Sequence, residues 1–181
     1  MLKQEEYKAA REKAVKMIRN AGVVICKKDI ETMDIADFGL SNLSEEGAQI
    51  LTLFQTEKVA CRVIALFEDQ TEPEHWHQPV NDIPGKEETL RIISGELRLY
   101  VEGENTIKEG HIPDKKEKYY TCRHEIIMGP CDTLTILPGE KHWFQGGKGG
   151  AVFYTMSTTA KDAYDPFSDP GVVRITKIRT E

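Results

Sequence analysis

The sequence predicts one mainly β domain, a barrel or sandwich of short strands that follows a single N-terminal helix. Apolar residues recur with helical spacing over the first twenty positions. After that the apolar residues form short runs with strand periodicity, and turns rich in Gly, Pro and Asp separate them. The chain has 181 residues, and one domain usually takes roughly 100–200. We therefore expect residues 1–181 to form a single domain.

The first predicted element is an amphipathic helix within residues 1–22. Its apolar stripe lies among Lys, Glu and Arg residues and consists of Tyr7, Ala10, Ala14, Val15, Met17 and Ile18. Asn20 and Gly22 end the pattern, as residues of this type do at a helix C-terminus. Such a stripe predicts packing against the rest of the domain.

Eight short strands are predicted for the barrel, which we expect over about residues 48–178. Their ranges are 49–54, 58–67, 88–94, 96–102, 119–128, 132–137, 151–157 and 172–178. Ser94-Gly95 predicts a tight hairpin between two of these strands, and the glycine-rich run 146–150 predicts another.

Charge and cysteine usage exclude several classes of protein. The chain carries 24 Lys and Arg against 30 Asp and Glu, so a net charge of −6 argues against a nucleic-acid partner. Its four cysteines form no CxxC pair, so neither a thiolate zinc site nor a disulfide framework is indicated. No apolar run suggests a signal peptide or a membrane span. We expect a cytoplasmic protein with reduced cysteines and no membrane partner.

Two short motifs together predict a metal site. His75 and His77 stand at i and i+2, a spacing that puts both imidazoles on one face of a strand. Glu88 begins the next predicted strand, and His142 follows a turn at Pro138-Gly139. A lone His-x-His is as often a pair of surface residues, but three imidazoles and one carboxylate form a ligand set. That set suits Mn, Fe, Co, Ni or Zn and leaves open positions for substrate oxygens.

The order of these pieces resembles the cupin superfamily, whose first motif has His-x-His, Glu and a later Gly, and whose second has Pro and Gly just before His. The chain departs from this pattern at three points. Asp69 stands where the first motif usually opens with Gly, the interval from His77 to Glu88 is longer than usual, and Pro138 directly precedes Gly139. The resemblance implies a cupin β-barrel, also called a double-stranded β-helix or jelly roll.

Longer strings are similar to the D-lyxose isomerase family of cupin-type sugar isomerases, in the same order over about residues 30–175. They lie at 34–40, 73–77, 85–89, 100–104, 124–126, 141–145, 156–159 and 165–170. The family implies an intramolecular oxidoreductase, a ketol-isomerase that interconverts D-lyxose and D-xylulose and often D-mannose and D-fructose. It also implies a divalent metal, commonly Mn(II), proton transfer through an enediol, and, as in many cupins, a homodimer.

Two residues are candidates for the proton transfers of this chemistry. Lys86 lies two residues before Glu88, which puts its amino group near the expected metal ligand. The alternative is a solvated lysine in a polar loop. Glu88 could itself carry the proton as well as bind the metal.

Substrate-binding candidates surround these residues in the motifs. Arg62 stands where the family resemblance suggests a cationic residue, often Lys, and an arginine would bind sugar oxygens but act poorly as a base. Asp162 and Asp165 would orient sugar hydroxyls, although such strings are also ordinary turn sequences. Trp143 and Phe144 flank His142 and would stack on the sugar, or else simply fill the core.

Three other functions remain open from the sequence. A cupin-type phosphoglucose isomerase would use similar chemistry, but no phosphate-binding cluster of Ser, Thr and cationic residues is evident. A non-haem Fe(II) cupin dioxygenase uses the same ligand types. A non-catalytic sugar-binding cupin would bind metal and sugar without turnover.

Overall fold

The computed structural model describes residues 1–82, 84–158 and 162–179. The helices are α1 (Gln4–Asn20) and α2 (Lys27–Thr32), and a short 3-10 turn covers Asp162–Tyr164. The strands are β1 (Leu2–Lys3), β2 (Asp34–Ala36), β3 (Ala48–Gln55), β4 (Val59–Leu66), β5 (Thr71–His75), β6 (Glu88–Val101), β7 (His124–Met128), β8 (Thr133–Ile136), β9 (His142–Thr158) and β10 (Ile178–Arg179). One family-like string, 156–159, ends at Thr159, outside the described residues.

Two long antiparallel strands, β6 and β9, organise the described part of the sheet. The path of neighbours is β2-β3-β4-β9-β6-β7, with β5 added to β9 and β8 added to β6. The first residues of β9 pair with β5, whereas its last eight pair with β4. The two ends of β9 therefore pair with different strands. The main apolar core includes residues of β3, β4, β6 and β9. The predicted mainly β class is confirmed.

Both hairpins predicted from glycines are wrong, because β6 and β9 run straight through those positions. Gly95 has φ +80°, and a Cβ there would lie 2.0 Å from the carbonyl oxygen of Gly150. A Cβ on Gly146 would lie 2.1 Å from the oxygen of Phe67. These glycines permit close backbone approach, and register shifts on either side of Gly95 mark bulges in β6.

The strand predicted at 172–178 is also wrong. Within the described chain only Ile178–Arg179 forms a strand there, and it pairs in parallel with β1. The preceding residues, 162–174, form an irregular segment that we call the C-terminal segment. It lies across β5, since Trp76 N–H donates to Pro166 O and Ser168 N–H donates to Glu74 O. Further on, Val173 N–H donates to Phe38 O.

The N-terminal helix is confirmed as α1, which buries Ala10, Ala14 and Ile18. These side chains belong to a second apolar cluster that includes Leu51 and Val63 of the sheet. The helix ends before Gly22, whose φ of +85° is a conformation that glycine adopts at little cost. No helix among the described residues has the length and apolar character needed to cross a membrane. All four cysteines are free of disulfide bonds, as expected.

Candidate active site

Three histidines form a buried cluster at one end of the described sheet. His75 is the last residue of β5, His77 follows it, and His142 is the first residue of β9. All three are buried, and one nitrogen of each lies within 4.8 Å of the corresponding nitrogens of the other two. The sequence prediction that these residues come together is therefore met by the geometry.

Backbone carbonyls fix the orientation of two of the rings. His75 Nδ1 lies 2.8 Å from Pro73 O, and His142 Nδ1 lies 2.9 Å from Glu140 O. Because a carbonyl oxygen can only accept, each Nδ1 must carry the hydrogen, which leaves the Nε2 lone pair free. Nε2 of His142 is buried and has no hydrogen-bond partner among the described residues.

Burial keeps two of the imidazoles neutral. It lowers the pKa of His75 well below its usual value, and the neighbouring His142 and His77 lower it further. Burial likewise lowers the pKa of His142 to about 3, with a further contribution from His77. His77 differs: burial opposes its charged form, but Asp165 and Glu88 outweigh burial and raise its pKa. At neutral pH His75 and His142 therefore offer unprotonated nitrogen donors.

Glu88 lies beside the histidines and is linked to Lys86. Its Oε2 is 3.3 Å from His77 Nε2, and its Oε1 is 3.1 Å from Lys86 Nζ. Burial would raise the pKa of Glu88, but Lys86 and then His77 hold it well below its usual value. Two ligands about 2.1 Å from one ion at right angles are about 3.0 Å apart. The Glu88–His77 contact is thus close to the separation of two adjacent metal ligands.

Lys86 precedes β6 and is buried in a network of charges. Its Nζ lies 3.7 Å from Asp162 Oδ1 in addition to the contact with Glu88. Arg62 of β4 donates two hydrogen bonds to the Asp162 carboxylate, at 3.1 Å and 2.6 Å. Arg174 Nη2 approaches the same carboxylate at 3.6 Å. Burial opposes ionisation of Asp162, but Lys86 and Arg62 lower its pKa, so it remains a carboxylate.

Asp165 reaches the imidazole cluster from the C-terminal segment. Its Oδ2 is 3.0 Å from Nδ1 of His77, a charge contact whose geometry does not make it a hydrogen bond. The structure therefore brings together eight charged or imidazole residues that were singled out from the sequence. They are Arg62, His75, His77, Lys86, Glu88, His142, Asp162 and Asp165.

The two aromatic candidates lie on opposite faces of β9. Phe144 lines the same cavity as His75, Lys86 and Glu88. Trp143 points the other way, where its ring stacks on Tyr100 with centroids 3.6 Å apart and its Nε1–H donates to Cys122 O. Side chains alternate along a strand, so the neighbour of two inward-facing residues must face outward. We therefore remove Trp143 from the substrate-binding set.

Several residues that sequence reasoning missed also line the cavity. Phe167 packs against His75, with ring centroids 5.5 Å apart, and Arg174 lies at the cavity wall. Glu72 of β5 lines it as well. In the sequence, Pro73 with a charged residue on either side is typical of a polar turn, and this pattern hides the buried strand β5.

The donor set fits a divalent cation. The three buried imidazoles have at least two free Nε2 lone pairs, and Nε2 of His142 has no partner among the described residues, so these nitrogens are available to a proton or a metal ion. Burial disfavours the proton at His75 and His142. Nitrogen donors with a nearby carboxylate suit borderline metals of the Mn-to-Zn series. Lys86, Asp162 and Arg62 line the same cavity as His75, so a polar molecule bound there would meet charged groups of both signs.

A model of the D-lyxose isomerase family matches residues 5–181. A D-lyxose ketol-isomerase of Cohnella laeviribosi is 43% identical over 171 residues, which is 94% of each chain. A D-lyxose/D-mannose isomerase of Thermosediminibacter oceani is 41% identical over 98% of this chain and 99% of its own. The similarity includes α1, which lies outside the strings recognised in the sequence.

Among solved structures, an L-ribose isomerase from Acinetobacter sp. DL28 in complex with L-ribose superposes with a TM-score of 0.81. The L-ribose isomerase of Cellulomonas parahominis gives a TM-score of 0.80, and each pair of chains is covered to 98%. The sequences are only 12% and 13% identical to this one. This likeness concerns the fold, and it confirms the barrel architecture that the cupin motifs predicted.

Proposed function

This chain belongs to the D-lyxose isomerase family and is a sugar isomerase of the ketol-isomerase type, and we propose that it converts D-lyxose to D-xylulose with the help of a bound divalent metal ion. The ligands we propose are His75, His77, His142 and Glu88. Mn(II) is the foremost candidate for the ion, and Fe, Co, Ni or Zn would fit the same donors.

The proposal rests on one observation. Three buried imidazoles form a cluster, two of them have lowered pKa values, and one of these, His75, lines a cavity that the Lys86–Glu88 pair also lines. Aldose–ketose isomerisation needs both parts: a positive centre for the oxygens of C1 and C2, and a group that moves a proton between these carbons. When bound, the metal ion would supply Lewis-acid stabilisation of the charge that develops on those oxygens.

Residues of the chain would carry out proton transfer and substrate binding. Lys86 is buried between two carboxylates and is our first candidate for proton transfer, with Glu88 as the second. Arg62 and Asp162 form a bidentate pair that presents donors and acceptors to sugar hydroxyls. Asp165 would orient His77 or a hydroxyl, and Phe144 would contact the apolar face of the sugar.

The choice of substrate rests on the relatives. The two curated relatives named above carry D-lyxose in their names, and one also carries D-mannose. We propose D-lyxose as the preferred aldose and D-mannose, giving D-fructose, as a second. These sugars undergo the same change at C1 and C2.

The experiment is an assay of the metal-loaded protein on D-lyxose and D-mannose, with D-ribose and D-xylose as comparison sugars. We expect ketose from D-lyxose first and from D-mannose second. If metal is verified in the site and no aldose yields a ketose, the isomerase proposal is wrong. Oxygen uptake without ketose would favour a dioxygenase, and tight binding without turnover would favour a non-catalytic sugar-binding protein.

We also propose that the protein acts as a homodimer that pairs through an exposed apolar surface on β3, β4 and β9, which we call the β-face patch. Phe54 is 52% exposed, Val59 46% and Met156 40%, and all three line one shallow depression. Apolar side chains clustered on a sheet face are typical of a surface that another chain covers. A second copy presents the same patch and so forms a self-complementary contact.

A further inference from the structure

Glu72 reaches the active-site cavity because of a bulge in β5. On β9 the partners of Glu72 and His75 are Phe144 and His142, two residues apart, whereas Glu72 and His75 are three residues apart. Phe144 and His142 lie on the same face of β9. The extra residue in β5 therefore places Glu72 on the face that carries His75, whereas regular alternation would have put the two on opposite faces.

The Glu72 carboxyl group is buried, and one of its two oxygens lacks a hydrogen-bond partner within the described chain. The side chain is 5% exposed, and Oε2 has no hydrogen-bond partner among the described residues. Glu74, two residues along, shows the opposite arrangement. Its carboxylate accepts hydrogen bonds from the Thr121 hydroxyl, the Cys122 N–H and the Ser168 hydroxyl. Glu74 thus has a structural role that Glu72 lacks.

The other charged groups that line the cavity in the described chain are in close contact with an oppositely charged or basic group. Arg62 and Arg174 contact Asp162, Lys86 contacts Glu88, and Asp165 contacts His77. Glu72 faces this set from β5 but forms none of these pairs. Burying a polar group without a hydrogen bond costs stability. A group kept at such a cost, directed into an active-site cavity, is a candidate for chemistry.

We propose that Glu72 is a catalytic residue that exchanges protons with the O1 and O2 oxygens of the sugar, while the Lys86–Glu88 pair serves C1 and C2. This inference rests on the proposed isomerase function. It separates the two proton transfers of the reaction and assigns them to different groups that line the same cavity.

The carbon base takes the proton from C2 of the aldose, and the C2–H electron pair forms the C1=C2 bond. The C1=O1 π pair takes the Glu72 proton, which gives the enediol. The Glu72 carboxylate then takes the O2 proton, and that O–H pair forms C2=O2. The C1=C2 π pair takes the proton returned to C1, so Glu72 ends protonated as it began.

Burial gives Glu72 the acidity that this role needs. Desolvation raises its pKa to about 7, against the opposing effect of Arg174. The charges of Glu88 and Asp162 act in the same direction as burial, whereas Lys86 opposes them. A carboxyl group that titrates near neutral pH both donates and accepts protons at working pH, as general acid–base catalysis requires.

The test is Glu72→Gln, which keeps the shape of the side chain and removes its exchangeable acid proton. We expect kcat on D-lyxose to fall at least about 100-fold, with one metal ion per chain retained and the melting temperature unchanged or higher. Glu74→Gln is the matched control, a buried carboxyl on the opposite face of the same strand. We expect it to lower the melting temperature and to reduce kcat far less in the protein that remains folded.

Three outcomes would overturn the inference. The first is kcat within about 3-fold of wild type in Glu72→Gln. The second is loss of metal together with rate, which would make Glu72 part of the metal site. The third is a lower melting temperature that accounts for the loss of rate. Wild type is measured in parallel, so metal-loaded wild type without ketose would refute the proposed function itself, whereas an active wild type with an equally active variant would refute the Glu72 role alone.

Discussion

At the scale of single residues, Lys86 is held in place by opposite charges on two sides. Its Nζ lies 3.1 Å from Glu88 Oε1 and 3.7 Å from Asp162 Oδ1, and the side chain is buried. These contacts keep the amino group at the cavity and limit the directions in which it can move. We therefore keep Lys86, buried and held at the cavity, as our first candidate for proton transfer.

Replacing Lys86 by Met should therefore separate chemistry from metal binding. We expect Lys86→Met to keep one metal ion per chain and to lose at least about 100-fold in kcat, because the histidine donors are untouched. Lys27→Met is the control, since that side chain is 90% exposed and lies 3.7 Å from Glu31 in the next turn of its helix. Full activity of Lys86→Met, with metal content measured in the same sample, would remove Lys86 from the mechanism.

The raised pKa of Glu72 also makes the stability of the folded protein depend on pH. Its pKa is about 7 in the folded protein and 4.5 in a free side chain, and burial is the main cause. Below about pH 4.5 the group is protonated in both states. As the pH rises from about 4.5 to about 7, the unfolded chain loses this proton first, so the folded state binds more protons and its stability falls.

We therefore expect Glu72→Gln to gain stability over wild type as the pH increases from about 4.5 to 7, on the order of 3 kcal/mol in total, and to keep a constant difference above that range. Comparing the two proteins cancels the other groups, including His75 and His142, whose lowered pKa values act in the opposite direction over part of this range. The measurement is denaturant unfolding of the metal-free proteins at several pH values. A difference that does not change with pH would show that Glu72 titrates normally.

At the scale of elements, the long strands β6 and β9 depend on glycines at which their backbones approach each other. Gly95 and Gly149 have similar φ values, +80° and +78°. A Cβ on Gly95 would lie 2.0 Å from Gly150 O, whereas a Cβ on Gly149 would meet nothing within 4 Å. The two positions therefore separate the cost of the backbone conformation from the cost of a steric clash.

Gly149→Ala should cost about 1–2 kcal/mol of unfolding free energy, the price of a positive φ alone. Gly95→Ala should cost clearly more, about 3 kcal/mol or above, because the strands must also move apart. Denaturant unfolding of both variants checks this. Equal losses would mean that the close approach at Gly95 does not constrain the strand.

The same two strands show what the sequence could and could not predict. The N-terminal helix, the strand class and the His75, His77 and His142 cluster were predictable, because each depends on local periodicity or motif spacing. The continuity of β6 was not, because Ser94-Gly95 is a turn signal that only the pairing with β9 converts into a bulge. Glu72 was missed for a similar reason, since its direction depends on a bulge in β5.

At the scale of the whole molecule, the C-terminal segment closes the cavity and the β-face patch faces outward. Asp162 and Asp165 come from that segment and contact Arg62 and His77 across the site. The patch lies on β3, β4 and β9, and β4 also carries Arg62. Pairing of two copies through the patch would therefore support a strand that carries an active-site residue.

We expect the mass of the protein in solution to be twice its chain mass of 20.5 kDa. Phe54→Glu should lower the measured mass to that of one chain, because a charge buried in the contact opposes dimer formation. Val24→Glu is the control, since Val24 is 94% exposed and does not line the depression that the patch residues line. Light scattering after gel filtration measures both. A dimer that survives Phe54→Glu would place the interface elsewhere, and a monomeric wild type would exclude the dimer.

The proposed function requires that the three-histidine cluster hold the metal ion on which isomerisation depends. The direct measurement is a titration of metal-free protein with Mn(II), in which bound metal and conversion of D-lyxose to D-xylulose are followed together. We predict that activity is absent without metal, rises in proportion to bound metal and levels off at one ion per chain, and that His77→Ala loses both. Full ketose formation by protein shown to contain no metal would contradict the proposed metal dependence.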